Sequence, residues 1–147
     1  MTKQEFFDDI MEICDWDSQG DDDKVLAPLI DHLSGFSDEE IFLFDDIMSE
    51  LLYALDTEKN FNAARKFYGH SDDTFLYSRC VALINGAEFY EQALKGKKHE
   101  ILWTSEFEAI LYVPMAALAK KHNEDAENYP HLSPLSYETG SNKTAWS

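Results

Sequence analysis

The stretch FSDEEIFLFDDIMSELLYAL, residues 36–55, decides how the whole chain is read. Ser37 stands where an N-cap hydroxyl would, Glu40 three residues on completes a capping box, and Phe36 can staple onto Ile41. Ile41, Phe44, Ile47, Met48, Leu51, Leu52 and Leu55 then recur at helical spacing and line one face. The other face carries Asp38, Glu39, Asp45, Asp46 and Glu50. A helix that is apolar on one side must bury that side against partners supplied by the flanking sequence.

Upstream, Thr2 and Glu5 form a second capping box. Phe6, Phe7, Ile10, Met11 and Cys14 predict a helix to about residue 15. Asp15 to Asp23, broken by Gly20, reads as an acidic loop. Val25, Leu26, Leu29, Ile30 and Leu33 predict a second helix, stopped at Gly35. Downstream, Thr57 caps a short helix bearing Phe61, Ala64, Phe67 and Tyr68, ended by Gly69. Ser71, with Asp72 and Asp73 placed to favour the dipole, starts another that carries Phe75, Leu76, Leu83 and Ile84. Gly86 ends or bends it, and Phe89, Tyr90, Ala93 and Leu94 continue the pattern to Gly96. Lys95-Gly96-Lys97-Lys98-His99 reads as a basic connector. Ser105 with Glu108 predicts a last capping box before Phe107, Ile110, Leu111, Met115 and Leu118, and Pro114 should kink or split that helix.

After Lys121 the periodicity fades into a Ser-, Thr-, Pro- and Asn-bearing tail in which Tyr129, Tyr137 and Trp146 are large enough to anchor. No strand stands out. The expectation is an all-α fold: a single-domain bundle of about six to seven helices over residues 1–122, with an extended C-terminal tail over residues 123–147 packed on it in part.

Charge is distributed unevenly. Residues 1–50 hold sixteen acids and two bases, a net of −14; the rest hold thirteen acids and ten bases, a net of −3, together giving −17. A surface of this sign repels a phosphate backbone, so direct nucleic-acid binding is not expected, and the complementary partner is a basic protein. Apolar runs fall short of the roughly 18 residues that span a bilayer, so no membrane span is expected. Two distant cysteines, Cys14 and Cys80, argue against a disulfide framework and for the reducing cytoplasm.

Few chemical motifs survive inspection. Asp15, Asp17, Gln19 and Gly20 match the opening of a calcium loop, but Leu26 stands where the bidentate Glu is needed. His32, His70, His99, His122 and His131 show no metal-ligand spacing. Neither a phosphate loop nor a nucleophile elbow occurs. No metal or cofactor is therefore expected, and both cysteines read as buried small side chains. The one concentrated polar feature outside the acidic third is Asp72, Asp73 and Arg79, open to a structural ion pair or to the floor of a ligand site.

The run Ser71-Asp72-Asp73-Thr74-Phe75-Leu76-Tyr77-Ser78-Arg79, continued by Leu83-Ile84-Asn85-Gly86 and Phe89-Tyr90-Glu91-Gln92-Ala93-Leu94, resembles the bacterial domain-of-unknown-function family numbered 4240. Phe6-Phe7-Asp8-Asp9-Ile10, Glu40-Ile41-Phe42-Leu43-Phe44 and Phe61-Asn62-Ala63-Ala64 are similar to its upstream motifs, and the likeness spans residues 3–122. Ser78 replaces the aromatic usual before the Arg. The resemblance implies an all-helical cytoplasmic bacterial domain and supplies no activity.

Two functional expectations follow. The first is a non-catalytic acidic protein-binding domain, concretely an immunity-type protein neutralising a basic toxin, with Asp21, Asp22, Asp23, Asp45 and Asp46 as the partner-binding carboxylates. The alternative is an enzyme or small-ligand sensor built around Asp72, Asp73 and Arg79.

Overall fold

The computed structural model describes residues 1–146; the last position of the expected tail, Ser147, lies outside them. The protein is all-α: eight helices and no strand among the described residues. They are α1 (Lys3–Ile13), α2 (Asp22–Ser34), α3 (Asp38–Leu55), α4 (Glu58–Ala64), α5 (Asp72–Arg79), α6 (Ala87–Leu94), α7 (His99–Trp103) and α8 (Val113–His122). Short 3₁₀ turns at Trp16–Ser18, Cys80–Leu83, Glu108–Tyr112, Ala126–Asn128 and Lys143–Ala145 interrupt the connections. Among the described residues no helix is long and apolar enough to cross a membrane.

Helix starts are where local chemistry predicts them. Thr2 Oγ1 accepts from Glu5 N–H at 3.1 Å while Glu5 Oε1 accepts from Thr2 N–H at 3.0 Å. Ser37, Thr57 and Ser71 likewise accept from the N–H three residues on, at 3.2, 3.0 and 3.1 Å. Each such cap satisfies a donor that the helix itself leaves orphaned.

Several readings need correction. The helix expected to run from Ser71 through Leu83 and Ile84 ends at Arg79, where a 3₁₀ turn takes over at Cys80–Leu83. The stretch Asp15–Asp23 is not all loop: Asp21 caps α2 by accepting from Lys24 N–H at 3.2 Å, so Asp22 and Asp23 occupy its first turn. The fourth helix stops at Ala64 instead of reaching Gly69, and the chain tightens into i→i−3 bonds at Lys66 and Phe67. Phe67 and Tyr68 are half-exposed, and Tyr68 stacks on His70 at 4.7 Å. Finally, Ser105 and Glu108 do not open a helix. A 3₁₀ turn occupies Glu108–Tyr112, and α8 begins afresh with Pro114 in its first turn. Proline has no N–H to give and crowds the carbonyl four residues back, so Pro114 costs least in the first turn of α8, where it stands. The basic connector, for its part, gives way at His99 to the unexpected α7, which buries Leu102 and Trp103.

Two compact units divide the chain. The first comprises Met1–Ile47 and Ala109–Pro134; the second comprises Met48–Glu108 and the chain from Leu135 onward, with α3 shared between them. In the first unit α2 packs along α8 and α1 lies on α2. Phe6 and Phe44 meet at 4.6 Å, and Ile10, Leu26, Leu29, Leu33, Ile110 and Val113 are buried. In the second unit α7 packs on α4 and α5. Phe75 contacts Trp103 at 5.4 Å and Phe61 at 5.2 Å.

Candidate functional site

The acidic beginning of the first unit is held in a fixed shape. Asp15 N–H donates to Val25 O at 2.9 Å, Trp16 Nε1–H to Ile10 O at 3.2 Å, and Asp21 N–H to Ser18 O at 3.1 Å. The segment joining α1 to α2 is thereby pinned to both helices. Asp17, Asp21 and Asp23 are exposed, as are Glu5, Asp8 and Glu12 on α1. Two contacts in this region are loose: His32 Nε2 lies 3.8 Å from Asp9, and the Lys24–Asp21 ion pair spans 4.0 Å. Burial pushes the Asp22 carboxyl up, and its neighbours Asp23 and Asp21 push it further. Burial likewise raises Asp9; His32 opposes this, while Glu5, Glu12 and Asp8 add to it.

A sign follows for Asp9. Its folded pKa lies above the unfolded one, so ionisation costs the fold. That cost is in force above the folded value and vanishes as pH falls below the unfolded value. Asp9→Asn should therefore stabilise the chain at neutral pH, by less than about 1 kcal/mol, and the gain should disappear near pH 3. Urea midpoints at the two pH values check this, and a destabilised variant at neutral pH would refute it.

Asp31, Asp38, Asp45 and Asp46 have partners within the unit. Lys120 meets Asp31 at 2.7 Å; Lys121 and His122 meet Asp38 at 2.7 and 2.8 Å. Hydrogen bonds from these side chains hold Asp31 and Asp38 below the usual carboxylate range. Asp45 accepts from Tyr129 Oη–H at 2.8 Å. Asp46 accepts from Ser133 Oγ–H at 2.6 Å and lies 2.7 Å from His131 Nε2. The five carboxylates expected to bind a partner thus fall into two groups. Asp21, Asp22 and Asp23 sit together at the start of α2, whereas Asp45 and Asp46 hold residues 129–133.

The calcium-like segment offers no closed ligand set. Leu26 is buried, and Asp15 Oδ2 accepts from Ser18 Oγ–H at 2.7 Å. No cluster of three His, Cys, Asp or Glu capable of holding a metal occurs among the described residues.

In the second unit Arg79 is fully buried, and its partners are not Asp72 and Asp73. Nη1 donates to Leu52 O at 2.9 Å; Nη2 donates to Tyr137 O and to Thr139 Oγ1, both at 3.0 Å. The guanidinium lies 4.8 Å from the centre of the Phe75 ring. Burial pulls its pKa down to about 10, with Asp56 acting in the opposite direction. Asp72 and Asp73 are exposed in the first turn of α5, and the contact of that turn with the tail is through Asp72 O, which accepts from Thr139 Oγ1–H at 2.7 Å.

The carboxylate that sequence reasoning passed over is Asp56. It is fully buried and accepts from Gly140 N–H at 3.0 Å, Asn142 N–H at 3.1 Å and Trp146 Nε1–H at 2.9 Å. Its position between two helices, just before the cap Thr57, hid it: an acid there reads as ordinary loop. The only available signal was the tail's supply of donors with no assigned acceptor.

Both thiols are buried, as their neighbours implied. Burial pushes Cys14 up to about 11 and Cys80 up to about 12. A thiol reagent near pH 8 should label the native chain far more slowly than the urea-unfolded chain. Rapid labelling of the native protein would show that one site opens readily.

A family model described as "Protein of unknown function (DUF4240)" matches residues 1–119. No curated protein and no solved structure matches the chain.

Proposed function

The chain belongs to the DUF4240 family, and we propose that it acts there as a non-catalytic acidic domain that binds a basic protein through the surface formed by α1, the segment after it and the first turn of α2. The observation that carries this reading is the set of carboxylates at residues 5–23, nine acids in all, among which Asp9 and Asp22 are pushed up by burial and by their acidic neighbours. Like charges gathered in this way cost the fold stability that a cationic partner would restore. Pinning of the segment lowers the ordering cost of docking. Met11, 42% exposed among these acids, supplies an apolar anchor.

The most concrete form of the proposal is an immunity-type protein that neutralises a basic toxin in a bacterium. Charge would set encounter rate and partner choice, and the buried contact at Met11 would set residence time. Asp45 and Asp46 enter less directly, because they serve the tail.

Affinity capture from the native host, at low and high salt, tests the reading. A basic protein should be retained at low salt and weakened about tenfold or more as salt rises to a few hundred millimolar. Reversal of Asp8, Glu12 and Asp17 to Lys, exposed carboxylates that cap no helix, should abolish capture while leaving the helical signal intact. A partner retained equally well by that variant would sink the acidic-surface mechanism.

A further inference from the structure

We propose that the second unit carries a binding pocket for a small phosphorylated molecule with a planar ring, a mononucleotide-like monophosphate. The pocket lies between α4 and α7 and measures about 730 Å³. That is within the range of small-molecule sites, roughly 300–1,000 Å³.

Its lining is unlike the rest of this acidic chain. Lys59, Asn62 and Lys66 recur at i, i+3 and i+7, so α4 and the turn after it present them along one wall. His99, the first residue of α7, also lines the cavity, and Ala145 from the last 3₁₀ turn contributes to it. Neither lysine has an ion-pair partner among the described residues. His99 Nε2 is buried without a hydrogen-bond partner. Burial holds the His99 imidazole below its ordinary value, and Lys59 and Lys66 press it further down. Two lysines that disfavour the charged imidazole beside an open space become favourable neighbours of it once an anion sits among them.

The remaining lining sets the ligand's other features. Phe67 is 42% exposed and offers a ring face for stacking. Asn62 can both donate and accept, as polar ring edges require. Glu58 also lines the pocket. It disfavours a polyanion, which selects a monophosphate over a triphosphate, and it can accept from a sugar hydroxyl. The inference does not depend on the acidic surface of the first unit.

The test follows the His99 imidazole signal by NMR through a pH titration of the full chain, assigned with His99→Gln. The probes are adenosine monophosphate, adenosine and inorganic phosphate. The monophosphate should raise the His99 midpoint saturably, adenosine should leave it unmoved, and inorganic phosphate should bind about tenfold more weakly. Lys59 and Lys66 are exposed, so the Lys59→Gln/Lys66→Gln variant should fold. Its His99 midpoint should rise without ligand, and its affinity for the monophosphate should fall about tenfold or more. Phe67→Ser should weaken the monophosphate but not inorganic phosphate. An unmoved His99 signal at about 10 mM monophosphate would overturn the proposal, as would undiminished binding by the double variant. Inorganic phosphate binding as tightly as the monophosphate would overturn the assigned ligand class.

Discussion

Replacing Arg79 with alanine will cost the folded chain roughly 3–5 kcal/mol, the range for removing one member of a buried charged cluster. The side chain is wholly inaccessible to water, so the loss is not softened by solvent. Leu52 O, Tyr137 O and Thr139 Oγ1 each lose a charge-assisted donor, Phe75 loses the cation on its face, and a cavity of guanidinium size opens. Arg79→Lys should recover less than half of this, because one ammonium cannot reach the separated acceptors of a planar fork. Equilibrium urea unfolding measures both. A loss below about 1 kcal/mol for the alanine variant would show that the cluster is not structural.

The second large effect is expected from removing residues 135 onward. Arg79 then keeps Leu52 O alone of its three acceptors, and Asp56 loses the donors from Gly140, Asn142 and Trp146. Trp146 also leaves Phe61 and Phe75, whose rings it meets at 5.4 and 6.4 Å. Water entering the vacated space re-solvates both charges and offsets part of the cost. The expected net loss is therefore about 3–5 kcal/mol, less than the hydrogen bonds would sum to. The near-UV signal of the tryptophans should flatten at the same time. A truncated chain with an unchanged urea midpoint would mean that these contacts add nothing to stability.

Most of the helical framework was legible because it is written in short-range chemistry. A hydroxyl three residues before a carboxylate, or an apolar residue every third or fourth position, acts within one or two turns. That is why Thr2, Ser37, Thr57 and Ser71 marked true helix starts. The failures arise where a distant contact outweighs the local signal. Ser105 has the composition of a cap, yet its carbonyl accepts from Ser78 Oγ–H at 2.7 Å, and Phe107 N–H is taken by Tyr77 O at 3.0 Å. Tyr68 fits the helical pattern but pairs with His70.

The polar groups show the same division. Asp72 and Asp73 attracted notice because they precede a helix, which is also a sufficient reason for them to be there. Arg79 is conspicuous in the sequence, but its acceptors lie in other parts of the chain and are mostly backbone carbonyls, which no side-chain pattern reveals. Asp56 is identifiable only from its donors, more than eighty positions away. The acidic character of the first third was plain from composition. Which of its carboxylates are already satisfied was not, since Lys120, Lys121, His122, Tyr129 and His131 reach them from the far side of the sequence.

The spacing of the Arg79 and Asp56 contacts bears on how the protein comes into being at the ribosome. Tyr137 is translated 58 codons after Arg79, and Trp146 follows Asp56 by 90. Throughout that interval the nascent polypeptide holds two ionised groups that water must keep solvated, so the interior around them cannot close. Maturation of this half is therefore a late event in synthesis, and a stalled or prematurely terminated product would present an open, protease-sensitive face.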